Sequence, residues 1–407
     1  MNKLCCFLTL NFIIFNCNVF SQTNNSNIAQ AISNNNSSKE IGYDPIISNT
    51  TEEFTFFTEK FLNTTPVKDQ NKTNTCWCFS SISFIETELL KNGAGEFNLS
   101  PMSIVRQTYI AKARQYVRMH GEVNFAGGGC NHDAIDVMKT NGVYPQEIYS
   151  GLKTGEFKYN HYKMDSSLLK YVEKVVESKK LDTQWMSGFE KIMNDYMGVP
   201  PDSFLYQGNF YTPKTFLNKL AINLDDYVVF TSFTHHPFYE KFVLEVPDNW
   251  KFSEVYNVPL NELMEIIDQS IVNDHSVAWS ADITENGFVY KKGLAVLPDV
   301  DELNSKNTDW QDILKRPGKE TNATQEIRQK EFDDFSTTDD HGMQIVGIAK
   351  DQTGKKYYYV KNSWGTSNKF NGYIYASENY VKLKTTSVMI NKNALPLSIR
   401  RKFTDLN

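Results

Sequence analysis

Cysteine is scarce in this chain: six in 407 residues, and three of them, Cys5, Cys6 and Cys17, lie within the first 17. A surplus of positive charge is missing too. Lys and Arg number 42 against 48 Asp and Glu, a formal charge of −6, so there is no basic stripe of the kind nucleic-acid binding requires. No uninterrupted apolar run reaches membrane-spanning length. The opening MNKLCCFLTLNFIIFNCNVFSQ is short and broken by Asn11 and Asn16, which fits a secretory signal peptide (residues 1–21) better than a transmembrane anchor. Cys17 follows Ile-Phe-Asn, not the small residues of a lipid-attachment site. Internal repeats are absent as well.

Cleavage between Ser21 and Gln22 would export the protein to the periplasm, the cell surface or the medium, with no membrane span remaining. It would remove Lys3 and no acid, taking the charge from −6 to −7, and would leave Cys76, Cys78 and Cys130. An odd count leaves at least one thiol unpaired within the chain. Residues 22–45 begin QTNNSNIAQAISNNNSSKE, a polar leader without apolar periodicity that cannot offset its own ordering entropy. From residue 46 to 407 the composition is that of a globular domain. Hydrophobic residues are 40% of the chain and aromatics 13%, with 27 Phe and 21 Tyr, enough for a sizeable core. The polar run around Asn304–Glu326 reads as a long surface excursion.

The chemistry concentrates in a few short stretches. In KTNTCWCFSS (residues 72–81), Cys78, Ile82, Ile85 and Leu89 recur at helical spacing and Gly93 follows as a stop, so Cys76 opens a helix. Free N–H groups and the dipole at a helix start favour a thiolate. Further on, HGMQIVGIAKD and KKYYYVKNSWG read as two strands joined by a turn at Asp351–Gly354. A turn there pairs positions summing to 705. His341 and Asn362 sum to 703 and therefore lie within cross-strand reach. An imidazole held by an amide can activate a thiol. The Cys76 backbone N–H and Gln70 could supply the donors that an oxyanion needs.

Each feature alone has a plainer reading: core packing for Cys-Trp, a strand-end turn for Asn-Ser-Trp-Gly, a surface amide for Gln70. Their joint order resembles the papain-like cysteine peptidases. There an oxyanion-hole Gln precedes Cys-Trp at the central helix, followed by His at a strand start and then Asn-Ser-Trp-Gly. The resemblance implies an α+β papain-like fold, with a helical part, a barrel-like β part and a cleft between. It implies peptide hydrolysis without cofactor or metal: Cys76 as nucleophile, His341 as acid and base, Asn362 as its orienter, and Trp364 as the shield over that pair. Gly128 and Gly129 match the Gly-Gly step that bonds substrate backbone.

The interval of 265 residues between Cys76 and His341 (341 − 76) exceeds the usual papain spacing of roughly 130–150. Together with GGGCNHDAIDVMKTNGVYP, GVPPDSF, TPKTF, LDDYV, NVPLNEL and SVAWSADI, it is similar to the bleomycin hydrolase and aminopeptidase C branch. That branch usually forms homo-oligomers and threads its carboxy terminus into the cleft. Here the chain ends ALPLSIRRKFTDLN, and the expectation is a more open cleft that leaves aminopeptidase and endopeptidase action both open. The alternative is a catalytically silent binding protein of the same fold. Three lesser readings accompany it: a Cys78–Cys130 disulfide, a zinc tetrad of Cys76, Cys78, Cys130 and His132, and packing or loop roles for His235, His236 and His275.

Overall fold

The computed structural model describes residues 53–153, 155–299 and 314–406. The proposed signal peptide, the polar leader and residues 304–313 of the surface excursion lie outside the described residues. Helix α1 (Cys76–Lys91) runs through the middle of the molecule. Cys78, Ile82, Ile85 and Leu89, the residues that marked its stripe, are all buried, but so are its serines and both glutamates. A helix buried all round must satisfy its polar groups internally. Glu86 accepts from Thr65 Oγ1 (2.7 Å) and the Leu99 backbone N–H (2.7 Å). Glu88 meets His275 Nδ1 (2.9 Å) and Asn391 Nδ2 (2.7 Å). These bonds tie the helix to chain on both sides of it, and they give His275 its structural role.

One layer against α1 is helical: α2 (Pro101–Arg118), α3 (Asn131–Asn141), α4 (Tyr162–Glu177), α5 (Trp185–Met197) and α6 (Pro213–Lys219). Much of the long interval between Cys76 and His341 is therefore spent on helices that share one core with α1, which includes Phe84, Met102, Phe189 and Phe216. The other layer is a mixed sheet. Its strands are β1 (Phe56–Phe61), β4 (Tyr227–Thr231), β5 (Lys241–Val243), β6 (Glu254–Asn257), β7 (Val277–Ala281), β8 (Phe288–Val289), β9 (Leu294–Ala295), β10 (His341–Asp351), β11 (Lys356–Lys361), β12 (Tyr373–Ser377) and β13 (Thr385–Asn391). They lie in the order β5-β6-β4-β13-β7-β10-β11-β12-β9-β8, with β1 on β10. A separate hairpin joins β2 (Phe204–Tyr206) to β3 (Asn209–Tyr211). Helix α7 (Leu260–Val272) covers the sheet over a second core built on Trp279, Ile345 and Ile390.

The turn between β10 and β11 is where the sequence puts it. Gly354 N–H donates to Asp351 O (3.0 Å), and Asp351 Oδ1 gathers the Thr353 N–H at 2.8 Å. Next to the turn the partners sum to 706, as in Lys350↔Lys356. A bulge between Ile345 and Gly347 brings them to 705 at Gln344↔Lys361, the expected register on the side of the site. The excursion is partly helical: α8 (Gln325–Asp333) begins inside it, capped by Thr324 Oγ1. The chain closes through α9 (Glu378–Lys384), β13 and the short α10 (Leu397–Arg400). Phe403 and Leu406 are buried in the sheet core, where Phe403 lies against Phe230 and Tyr256.

Candidate active site

Helix α1 meets strand β10 at their first residues. Gly342 is the hinge of that meeting: a methyl there would sit 2.8 Å from Ser80 Oγ, 3.0 Å from Trp77 Cα and 3.1 Å from Trp77 N. No side chain fits between strand and helix, so only glycine permits the approach. The Cys76 sulfur lies close to the Gly342 backbone at this junction. His341, one residue earlier, heads the strand that meets the first turn of α1.

His341 Nε2 lies 2.8 Å from Asn362 Oδ1. The Ser363 backbone N–H donates to the same oxygen (2.7 Å), which fixes the orientation of the amide. Nε2 must then carry the proton, and in the neutral ring Nδ1 keeps its lone pair. Trp364 covers the imidazole with ring centroids 4.6 Å apart and is itself braced by Tyr290 and Phe288. Gln70 is buried; its Oε1 accepts from Ser363 Oγ (2.7 Å) and its backbone N–H donates to Ser363 O (2.8 Å). The loop from Gln70 to Cys76 is pinned by Thr73 Oγ1, which donates to Gln70 O (2.9 Å). Two distant stretches of sequence, Gln70 to Cys76 and His341 to Trp364, thus share one neighbourhood. Ser363, which joins Gln70 to the Asn362 loop, is a part that sequence reasoning did not assign; its place inside Asn-Ser-Trp-Gly was the available signal.

The electrostatics correct one expectation. Cys76 does open α1, but burial pushes its thiol up to about 12, with Asp248 and Asp339 adding to the rise. Burial also pushes the His341 imidazole down to about 4, against the Asn362 bond. Burial thus disfavours the charged form of both residues.

The glycine run packs beside Trp77, whose Nε1 donates to Gly127 O (3.0 Å). A methyl at Gly129 would lie 2.9 Å from the indole. Gly128 is covered: a methyl there would sit 2.1 Å from both carboxylate oxygens of Asp248, and Lys112 Nζ donates to the Gly128 carbonyl. All three described cysteines are free thiols. Cys78 donates to Pro101 O (3.3 Å) inside the core, and Cys130 is the N-cap of α3. The disulfide reading therefore falls, because each sulfur is packed into its own element. Among the described residues the one group with converging metal donors is His235, His236 and Glu245, so the cysteine tetrad is not assembled. The histidine group does not fit a metal either. Thr234 N–H fixes Gln329 Oε1 (2.5 Å), so Gln329 Nε2 donates to His235 Nδ1 (3.0 Å). That leaves His235 Nε2 protonated and bonded to Glu245 (2.7 Å).

Comparison with known proteins agrees with this arrangement of elements. The family model described as the Peptidase C1-like family matches residues 127–406, a span that includes His341 and Asn362. Aminopeptidase W of Lactobacillus delbrueckii subsp. lactis is 25% identical over 88% of this chain and 88% of its own. Aminopeptidase G of the same organism is 22% identical over 82% of each. The crystal structure of PepW from Lactobacillus rhamnosis superposes with a TM-score of 0.64 at 17% identity, covering 85% of this chain and 84% of that one. No helix among the described residues is long and apolar enough to cross a membrane.

Proposed function

Because the chain belongs to the Peptidase C1-like family, we propose that it is a papain-like cysteine aminopeptidase in which Cys76, His341 and Asn362 form the catalytic triad. The observation that carries the reading is the His341–Asn362 bond of 2.8 Å at the head of β10, set against the first turn of α1 by Gly342. The relatives named as aminopeptidases support the substrate class.

The first step moves the proton of the Cys76 thiol. As the thiol closes on the scissile carbonyl carbon, His341 Nδ1 takes that proton while Nε2–H remains bonded to Asn362. The S–C bond forms, and the carbonyl electron pair moves onto oxygen. The backbone N–H of Cys76 and the Gln70 amide, whose oxygen is committed to Ser363, are the donors for that oxyanion. The imidazolium then protonates the departing amine. Water, deprotonated by the same ring, releases the acyl group as a carboxylic acid and restores the thiol.

The test is the intact mass after exposure to an epoxysuccinyl inhibitor. One adduct on the parent and none on Cys76→Ala is expected, with Cys78→Ser labelled like the parent. An adduct that survives Cys76→Ala would overturn the assignment. No adduct on the parent would favour the silent binding protein. The protein is also proposed to be exported, on the strength of its first 21 residues. A mature mass beginning at Gln22 is expected, and an intact Met1 would refute export by cleavage.

A further inference from the structure

Beyond the triad, the loop Val246–Lys251 between β5 and β6 lies across the glycine run. It is held from several directions. Trp250 Nε1 donates to Asp133 Oδ2 (2.9 Å), Gln115 Nε2 donates to Trp250 O (2.7 Å), and Asn249 Nδ2 spans Leu244 O (2.8 Å) and Ser253 O (2.9 Å). The loop delivers the Asp248 carboxylate onto Gly128. Peptide backbone cannot also occupy that face of Gly128.

Asp339, two residues before His341, lies within electrostatic reach of Asp248. Its Oδ2 is buried and has no hydrogen-bond partner. No described ion pair involves Asp248 or Asp339. Lys112, the nearby cation, donates to Ala126 O (2.8 Å) and Gly128 O and offsets part of the Asp248 charge, but it makes no ion pair with either acid. Like charges this close repel. Burial and Asp248 push Asp339 up to about 7, and Asp133 and Asp340 add to the same negative field around Asp248. Both carboxylates also bear on the Cys76 sulfur, so they stand within the catalytic neighbourhood. Asp339 also lines a cleft of about 900 Å³ with Pro247, Phe332, Phe335, Glu245 and Asp340, where His235 is the one basic side chain among the described residues of the wall.

We propose that Asp248 and Asp339 form an ammonium site that binds the protonated amino terminus of the peptide, and that the Val246–Lys251 loop stops the chain there. The buried, unpartnered Asp339 oxygen supplies the vacant acceptor, and a cation would relieve the repulsion between the two acids. The adjoining cleft would take the side chain next to that amine. The expected openness of the cleft is thus lost on the Gly128 side to a loop of the chain's own interior, without any use of the carboxy terminus. The inference rests on the aminopeptidase reading for its purpose, but its binding test does not need a working thiol.

In the Cys76→Ala background, titration calorimetry with Ala-Phe-Ala amide and its N-acetyl form should show the free amine bound at least about tenfold more tightly. In Asp248→Asn/Asp339→Asn that ratio should collapse to within about twofold. Both changes keep side-chain shape, and Asp339→Asn alone should raise Tm and lower the ratio in part, which controls for misfolding. Equal binding in the parent, no measurable binding of the free amine, or a ratio that survives the double change would overturn the site. N-acetyl-Lys-Phe-Ala amide distinguishes the other source of an ammonium: if it binds as well as the free amine, the site reads a basic side chain and the amino-terminal assignment falls. Inhibitor labelling separates the two readings. Labelling without amine preference sinks only this inference; amine preference without labelling sinks only the catalytic one.

Discussion

Replacing Gly342 by alanine should disable the site without touching any group that does chemistry. The added methyl would fall 2.8 Å from Ser80 Oγ, 3.0 Å from Trp77 Cα and 3.1 Å from Trp77 N. Two of those atoms are backbone of α1, a helix fixed by its buried glutamates, and Ser80 Oγ already bonds Trp77 O and Asn131 Oδ1. Neither side can yield freely, so the head of β10 must move outward by several tenths of an ångström. Overpacking of this kind costs about 1–3 kcal/mol. Displacing His341 from Cys76 by a fraction of an ångström to one ångström should lower kcat/KM by roughly 10–100-fold. The assay pairs Tm with kcat/KM on an aminoacyl-coumarin substrate. Gly347→Ala is the control, because its methyl would meet Lys60 O at 2.4 Å on the same strand but away from the triad. It should lose stability and keep activity per folded molecule. Ser80→Ala in the Gly342→Ala background should restore little, since the Trp77 contacts remain. Full recovery with Ser80→Ala, or activity in Gly342→Ala within twofold of the parent, would refute the argument that backbone contact sets the His341–Cys76 spacing.

Three further changes probe the remaining parts. Asn362→Ala removes the acceptor of His341 Nε2–H and should cut kcat by about 10²-fold, toward the scale of lost general acid–base catalysis, with inhibitor labelling of Cys76 slowed in parallel; equal labelling rates would argue against a positioning role. Gln70→Ala should lower kcat by roughly 10²–10³-fold with KM little changed, as for the loss of one oxyanion donor, and a change confined to KM would contradict that role. The pH dependence of stability should carry two opposed contributions. Burial holds His161 down to about 4; the unfolded state then binds the extra proton, and stability is lost as pH falls from about 6.5 toward 4. Asp339 is held up at about 7, so the folded state binds the extra proton and stability is lost as pH rises from about 4 through 7. Asp339→Asn should therefore make the slope of Tm against pH more positive than in the parent between pH 5 and 7, and an unchanged slope would show that Asp339 ionises normally.

Local grammar was legible. Four apolar residues at helical spacing and a glycine stop defined α1, and a turn signal placed the β10–β11 pair within one residue of its register, because both depend on contacts close in sequence. The bulge between Ile345 and Gly347 was not legible, since β1 pairs with the opposite edge of β10 and a methyl on Gly347 would press on Lys60 O at 2.4 Å, a constraint from far away in the chain. The same limit explains the thiol. A helix start is visible in sequence and argues for a lowered pKa. The burial that reverses it comes from packing of distant elements, and the two carboxylates that reinforce it come from Asp248 and Asp339, which are 91 residues apart (339 − 248).

Asp248 shows where the boundary lies. Nothing around VPDNW distinguishes its aspartate from a solvated loop acid, and the neighbouring Pro and Asn suggest only a turn. Its meaning arises when the loop is laid on a glycine that has no side chain to resist it. Gly128 permits close approach of a backbone, but the absence of a Cβ specifies an approach and not the approaching chain. A glycine in a cleft admits whatever backbone or carboxylate the fold brings to it. Here the fold brings Asp248, and the same lack of a Cβ that would serve a substrate along an open cleft instead seats an acid at its end. Whether a papain-like cleft trims termini or cuts internally can thus turn on one loop from an insertion, with the triad unchanged.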